Sequence, residues 1–145
     1  MSRLWLAALG AAAVVACGDD SSGGEPTDLF PDVAGVYAVQ GRFDAVPEDQ
    51  ASFTGSVTIE QASLESSLLT GTADIALTAT AGNLFINDAE LQDASVTLGG
   101  EVAFTIEDQG VVWSFTGERS GDLLEGSHTL TDGAESQTGT WSGER

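Results

Sequence analysis

The sequence of 145 residues has no lysine, one cysteine and one histidine. Its four cations are all arginines, and against 23 acidic residues they leave a formal net charge of −19. A chain with so little positive charge repels phosphate backbones, which argues against nucleic acid as a partner. One cysteine excludes an intramolecular disulfide and a cysteine-cluster metal site, and one histidine excludes a zinc site built from several histidines.

The sequence also lacks an apolar run long enough to cross a membrane. Its main run, residues 4–15, is 12 residues long, whereas a spanning helix needs about 20. Because this run follows the basic start Met1-Ser2-Arg3, it is typical of the hydrophobic region of a signal peptide. It ends in Val14-Val15-Ala16-Cys17, which resembles the lipobox of bacterial lipoproteins.

The lipobox resemblance implies that residues 1–16 are a signal peptide, cleaved after Ala16. It implies a diacylglyceryl thioether on the sulfur of Cys17 and an acyl chain such as palmitate on the new amino group. A membrane would then be a partner through this lipid, because more than one acyl chain holds a protein stably at a bilayer. Since Gly18 and not aspartate follows Cys17, the resemblance favours the outer membrane among extracytoplasmic locations. The alternative is an ordinary secretory signal with a coincidental cysteine.

Residues 17–32 are interpreted as the lipidated cysteine followed by a flexible tether. The segment is rich in glycine, serine, aspartate and proline. A chain of this kind has a reach of about 20 Å, from roughly 5–6 Å × √n.

Residues 33–145 alternate apolar and polar side chains with a period of two, which predicts β-strands. Short links rich in glycine and aspartate separate the strands and predict antiparallel neighbours in sequential order. The prediction is an all-β, up-and-down meander of eight or nine strands. Because an open meander exposes two edges, the sequence favours a closed small barrel, with a β-sandwich as the alternative. The less regular stretch 83–98 predicts two shorter strands with a bend near Asp88 or Asp93.

Glycine recurs in an apolar-polar-Gly-polar frame on the inward side of several strands. An inward glycine lets another backbone approach closely, which small barrels require. The frame occurs at residues 53–56, 69–72, 115–118, 124–127 and 137–140.

Three short segments resemble calycin-like barrels, the lipocalin and avidin-like group. Gly35-Val36-Tyr37 is similar to the Gly-x-Trp of a lipocalin first strand, with tyrosine in place of tryptophan. Leu69-Thr70-Gly71-Thr72 and Thr140-Trp141-Ser142-Gly143 resemble avidin-type strand segments. An eight-stranded barrel is wide enough either to pack shut or to hold one small ligand. No ligand is carried over from either family.

Few side chains of the barrel domain point to chemistry. His128 lies on the apolar side of its strand. One interpretation is that it anchors a ligand through a polar contact, and the alternative is a hydrogen-bonded core histidine. The apolar candidates to line an interior ligand site are Phe104, Trp113, Trp141 and Tyr37. The sequence has no Gly-x-Ser-x-Gly elbow and no calcium-binding loop. It therefore predicts no catalytic residue, no metal site and no cofactor, and the protein is not expected to be an enzyme.

Two arginines lie at inward positions of the strands that contain Trp113 and Trp141. Arg119 follows Trp113 and Arg145 follows Trp141, at one end of the predicted barrel. The pattern predicts an arginine stacked on an aromatic ring at that end, with exposed strand-end charges as the alternative.

Two hypotheses of function remain. The first is a non-enzymatic, membrane-anchored envelope lipoprotein that is structural or binds a protein partner. The second is a carrier of a small apolar ligand in the barrel interior. A cavity of about 300 Å³ or more lined by Trp113, Phe104 and His128 would favour the carrier. An interior filled by side chains would favour the first hypothesis.

Overall fold

The computed structural model describes residues 29–145. The predicted signal peptide, the predicted lipidation site Cys17 and residues 17–28 of the predicted tether lie outside these residues. Within them, the regular secondary structure consists of eight β-strands. The strands are β1 (Gly35–Phe43), β2 (Ala51–Gln61), β3 (Leu69–Ala79), β4 (Leu84–Val96), β5 (Glu101–Asp108), β6 (Val111–Ser120), β7 (Leu123–Asp132) and β8 (Glu135–Glu144).

The eight strands form a closed barrel in sequential order, and each is antiparallel to its neighbours. The ring closes where β8 pairs with β1, with Gly143 opposite Val39 and Gly139 opposite Phe43. The predicted all-β, closed up-and-down meander is confirmed, and the β-sandwich is excluded. Closure leaves no free strand edge in this sheet, which removes a site of edge-to-edge aggregation.

The period-two pattern places the core inside the barrel. In β6, Val111, Trp113, Phe115 and Gly117 are buried, while the residues between them face solvent. Such alternation is what a strand with one buried face requires, because successive side chains point to opposite faces. The interior is therefore built from every second residue around the ring.

The inward glycines bring neighbouring strands close together. A Cβ at Gly55, Gly71, Gly126 or Gly139 would overlap a carbonyl group of an adjacent strand. At Gly117, the fifth glycine of the recurring frame, the Trp141 ring fills the space, 2.9 Å from where a Cβ would lie. The predicted close approach at the frame glycines is thus confirmed.

Strand β4 differs from the prediction of two shorter strands. It is a single strand of 13 residues, and its register shifts once against β3 and once against β5. The backbone of Asp88 and Asp93 has positive φ, 51° and 50°, and the Asp88 N–H donates to Asp74 Oδ1 at 2.8 Å. Each irregularity adds a residue that breaks the alternation but not the pairing. The prediction of two strands was wrong for this reason. The prediction placed one bend near Asp88 or Asp93, and the backbone is irregular at both residues.

The strand directions define two ends of the barrel. The N-terminal end holds residues 29–34, the β2–β3 and β4–β5 links, the β6–β7 turn and Arg145. The far end holds the links at residues 44–50, 80–83, 109–110 and 133–134.

Residues 29–34 lie across the N-terminal end and close it. Val33 is fully buried, and its carbonyl accepts a hydrogen bond from the Tyr37 hydroxyl at 3.0 Å. The Phe30 side chain packs against the core, while its N–H donates to the Leu64 carbonyl at 2.7 Å. The chain segment before β1 therefore acts as a lid of fixed structure.

Arg145 secures the same end from the other terminus. Its guanidinium carbon lies 6.0 Å from the centroid of the Tyr37 ring. It donates to the Ala34 carbonyl at 2.7 Å and forms an ion pair with Asp122 at 2.8 Å. The predicted arginine–aromatic contact is confirmed for Arg145, on Tyr37. Arg119 lies at this end too, and its buried Nε has no hydrogen-bond partner within residues 29–145.

Candidate functional site

The five residues that the sequence singled out for an interior ligand site are all buried. Their exposed fractions lie between 0% and 4%. Four of them, Phe104, Trp113, His128 and Trp141, belong to one cluster of aromatic rings. The fifth, Tyr37, lies apart from this cluster at the N-terminal end, bonded to Val33.

His128 occupies the polar centre of the cluster. The Trp113 indole N–H donates to His128 Nδ1 at 3.0 Å. Since Nδ1 accepts, the ring proton lies on Nε2, which is 2.9 Å from the Arg42 carbonyl oxygen and donates to it. Burial lowers the pKa of His128, with the bond to the Arg42 carbonyl acting in the opposite direction. His128 is thus held as one neutral tautomer with both nitrogens bonded.

The bond from His128 to Arg42 passes over a neighbouring strand. His128 lies on β7 and Arg42 on β1, and β8 runs between them. Gly139 of β8 leaves the passage open, because a Cβ there would lie 2.6 Å from His128 Nε2. Local sequence does not reveal this partnership, since it joins a side chain to a backbone carbonyl 86 residues away.

Aromatic rings surround the histidine on several sides. The centroids of Phe43 and Phe53 lie 4.9 Å and 5.0 Å from that of His128, both edge-on. Phe53 also meets Trp113 edge-on at 4.7 Å. Edge-to-face pairs at these separations are favourable beyond their buried area. The histidine is therefore packed as a core residue and contacts side chains of this chain.

The polar atom of Trp141 also has a hydrogen-bond partner within the barrel. Its indole N–H donates to the Thr116 carbonyl at 2.9 Å. Its ring packs edge-on against Phe104 and Phe115, at 5.8 Å and 5.5 Å. In the part of the chain that the structure describes, the only buried side-chain nitrogen or oxygen without a partner is Arg119 Nε. The cluster thus presents no unpaired polar atom to an interior ligand.

Two hollows open on the outer wall of the barrel. The larger, of about 490 Å³, crosses β2, β1, β8 and β7, and its outward-facing lining is polar. The smaller, of about 360 Å³, crosses β2, β3 and β4. Two inward aromatic residues, Phe53 and the predicted ligand-site residue Trp141, also line the larger hollow. Phe104, Trp113 and His128 line neither hollow. The outward side chains of the larger hollow are Gln40, Arg42, Glu48, Ser52, Thr54, Glu125, Thr140 and Ser142.

The sequence analysis did not identify these wall residues as a group. Serine, threonine and glutamate at outward positions are typical of any solvated strand face. Only the ring closure of β8 on β1 brings Arg42 next to Thr140, where its Nε donates to the hydroxyl at 3.3 Å. No local signal in the sequence marks that contact.

Among residues 29–145, no three histidine, cysteine or acidic side chains are arranged to hold a metal ion. The same residues include no helix of the length and apolarity needed to cross a bilayer. Comparison of the chain with protein-family models, with curated proteins and with solved structures gives no match.

Proposed function

We propose that the protein is a non-enzymatic lipoprotein of the bacterial envelope, held at the outer membrane by lipid on Cys17. Its barrel serves as a rigid structural or partner-binding domain whose interior is a core. The lipobox-like Val14-Val15-Ala16-Cys17 supports the lipid attachment. The observation that carries the rest is His128, which is 1% exposed and bonded through both ring nitrogens inside a shell of aromatic rings.

The packing around His128 bears on what can bind, and where. A ligand in the interior would have to break a bond of His128 and separate rings in contact. Leaving a buried donor or acceptor unpaired costs about 1–3 kcal/mol, and opening an aromatic core costs more. Contacts with other molecules therefore fall to the outer wall and the links.

The architecture supports a relationship of shape with calycin-like barrels. The chain shares with them a closed, eight-stranded, antiparallel barrel in sequential order. We propose that it differs in use, because Phe104, Trp113 and Trp141 all pack against the Phe115 ring where a calycin carrier would hold its ligand.

The anchor is tested by mass spectrometry of the mature chain expressed with its own signal. The expected amino terminus is Cys17 carrying three acyl chains, and the protein partitions into detergent. Cys17→Ser is the control, which should lose both lipid and membrane association. An unmodified Cys17, or an intact Met1, overturns the proposal.

The packed interior is tested by native mass spectrometry of the purified protein. The expected mass is that of the lipidated chain alone. Addition of a medium-chain fatty acid should leave the tryptophan emission unchanged, since Trp113 and Trp141 are buried. A stoichiometric apolar ligand, or saturable quenching by the fatty acid, would support the carrier hypothesis instead.

A further inference from the structure

Four leucines are exposed at the N-terminal end of the barrel. Leu29, Leu64, Leu68 and Leu98 have exposed fractions of 56%, 40%, 71% and 52%. All lie in the lid or in the links beside it. The Phe30 N–H bonds to the Leu64 carbonyl, and the Val96 N–H bonds to the Ser67 carbonyl at 2.8 Å. Pro31 of the lid lies beside Gly100 in the link that carries Leu98.

The far end has a different surface. Its four links contain no exposed large apolar side chain. Acidic residues do not distinguish the two ends, because the far-end links carry Asp44, Glu48 and Asp49, while the lid and links of the N-terminal end carry Asp32, Glu65 and Asp122, the last paired with Arg145. The exposed Phe85 and Val112 lie on the outer wall near that end, within β4 and β6. The described cations are also divided unequally, because Arg119 and Arg145 lie at the N-terminal end and Arg42 lies on the wall.

The chain outside the described residues joins the barrel at the leucine end. Leu29 comes 12 positions after Cys17, and a chain of that length spans at most about 40 Å when fully extended. Lipid on Cys17 would therefore hold the leucines close to the bilayer at a high effective concentration. The far end, whose links expose no large apolar side chain, would be the end most distant from the headgroups.

We propose that the N-terminal end of the barrel lies against the lipid bilayer, with the four leucines seated among the headgroups and upper acyl chains. This inference rests on the lipid anchor proposed above. The anchor selects a lipid surface over a second copy of the chain, because it brings the bilayer to these leucines in every molecule. The barrel then stands end-on, and its polar wall and far end face the aqueous phase.

The test uses two single substitutions of matched exposure in the full lipidated chain. Leu98→Cys lies at the leucine end, and Phe85→Cys, 57% exposed, lies near the far end. Each is labelled with an environment-sensitive fluorophore in phosphatidylcholine vesicles. Because the sulfur of Cys17 is consumed in the thioether, only the new thiol reacts. The label at residue 98 should emit at shorter wavelength, and spin-labelled lipid should quench it several-fold more than the label at residue 85.

A second pair of variants tests the role of the leucines. Adding Leu64→Gln and Leu68→Gln to Leu98→Cys should return the label to a water-like emission. Adding Val112→Gln, at the opposite end, should leave it unchanged. Equal quenching at residues 98 and 85 overturns the end-on contact. A shielded residue 98 that lipid does not quench also overturns it, because protein then covers the leucines.

Failure of the anchor has its own signature. The parent chain would then react with a thiol reagent at Cys17 and would not float with vesicles. If the parent floats and is unreactive, but residue 98 stays in water, the anchor stands and only the docking is lost.

Discussion

The two ends of the barrel are closed by different means. In the far half, Phe43, Phe53, Trp113 and His128 pack side chain against side chain across the lumen. At the N-terminal end, the closing element is a segment of chain, residues 29–34, fixed by Tyr37 and by Arg145. The first closure is part of the barrel wall and cannot open without disturbing it. The second is an added lid, so its loss should leave the strands paired.

The largest expected difference in stability is between alanine substitutions at two glycines of β8, Gly139 and Gly143. Gly139→Ala pushes a Cβ into the Arg42 carbonyl and to 2.6 Å from His128 Nε2. We expect it to lower the free energy of unfolding by about 2–3 kcal/mol, as overpacking does. Urea unfolding followed by tryptophan emission measures this loss.

Gly143→Ala is the matched control toward the N-terminal end. Its new Cβ would meet the Val39 side chain at 3.1 Å and no backbone as closely. Mild crowding is offset by about 0.4–1 kcal/mol of lost unfolded-state entropy. The unfolding midpoint should stay close to that of the parent. Equal losses in the two variants would contradict the special role given to the His128–Arg42 contact.

The second prediction concerns pH and the far half. Because burial lowers the pKa of His128, the unfolded chain binds more protons than the folded chain below the ordinary histidine pKa of about 6.5. The stability that depends on neutral His128 is therefore complete above about pH 6.5 and is lost as pH falls toward the folded pKa. The slope from this group cannot exceed about 1.4 kcal/mol per pH unit.

His128→Gln provides the comparison, because it keeps all the carboxylates and removes the titrating ring. The difference in unfolding free energy between parent and variant should shrink as pH falls from about 7 to about 5. His128 is the only histidine, so the proton on its ring carbon Cε1 gives one NMR signal, whose titration midpoint should lie below the usual histidine pKa. A midpoint at or above that value refutes the prediction.

The smallest expected effect belongs to the N-terminal end. Tyr37→Phe removes the hydroxyl that donates to the Val33 carbonyl, at a cost of about 1 kcal/mol. Hydrogen exchange should accelerate at residues 29–34 and stay unchanged around Trp113 and His128. Thr116→Val, which removes an exposed hydroxyl contact with Ser127, should leave the lid unaffected. Acceleration spread through the whole barrel would show that the lid and the strands open together.

Most of the fold could be predicted from the sequence, because it depends on the two-residue alternation of apolar and polar side chains and on the turn residues between strands. The alternation in β6 and the Asp132-Gly133 turn specify a strand and a hairpin without reference to the rest of the chain. The two bulges of β4 could not be counted correctly, because an inserted aspartate shifts the alternation just as a strand break does. The sequence indicated only one bend, near Asp88 or Asp93.

The candidate site was less predictable, because its contacts join distant parts of the chain. The side on which His128 lies could be read from its neighbours Leu124 and Leu130. Its partners could not, since the Arg42 carbonyl reaches it only after the ring has closed across Gly139. The exposed leucines in the links do not follow the alternation of apolar and polar residues. Their location at one end of the barrel could therefore be recognised only from the strand topology.

The pairing of β1 with β8 has a consequence for the order of assembly. A chain made or exported from its amino terminus can form six hairpin contacts one after another, from β1–β2 to β6–β7, but β1 lacks its second partner until β8 has emerged. Contacts between residues so far apart in sequence form slowly. Until those last residues arrive, the nascent chain remains an open sheet, and loss of only its final ten residues would leave it in that state.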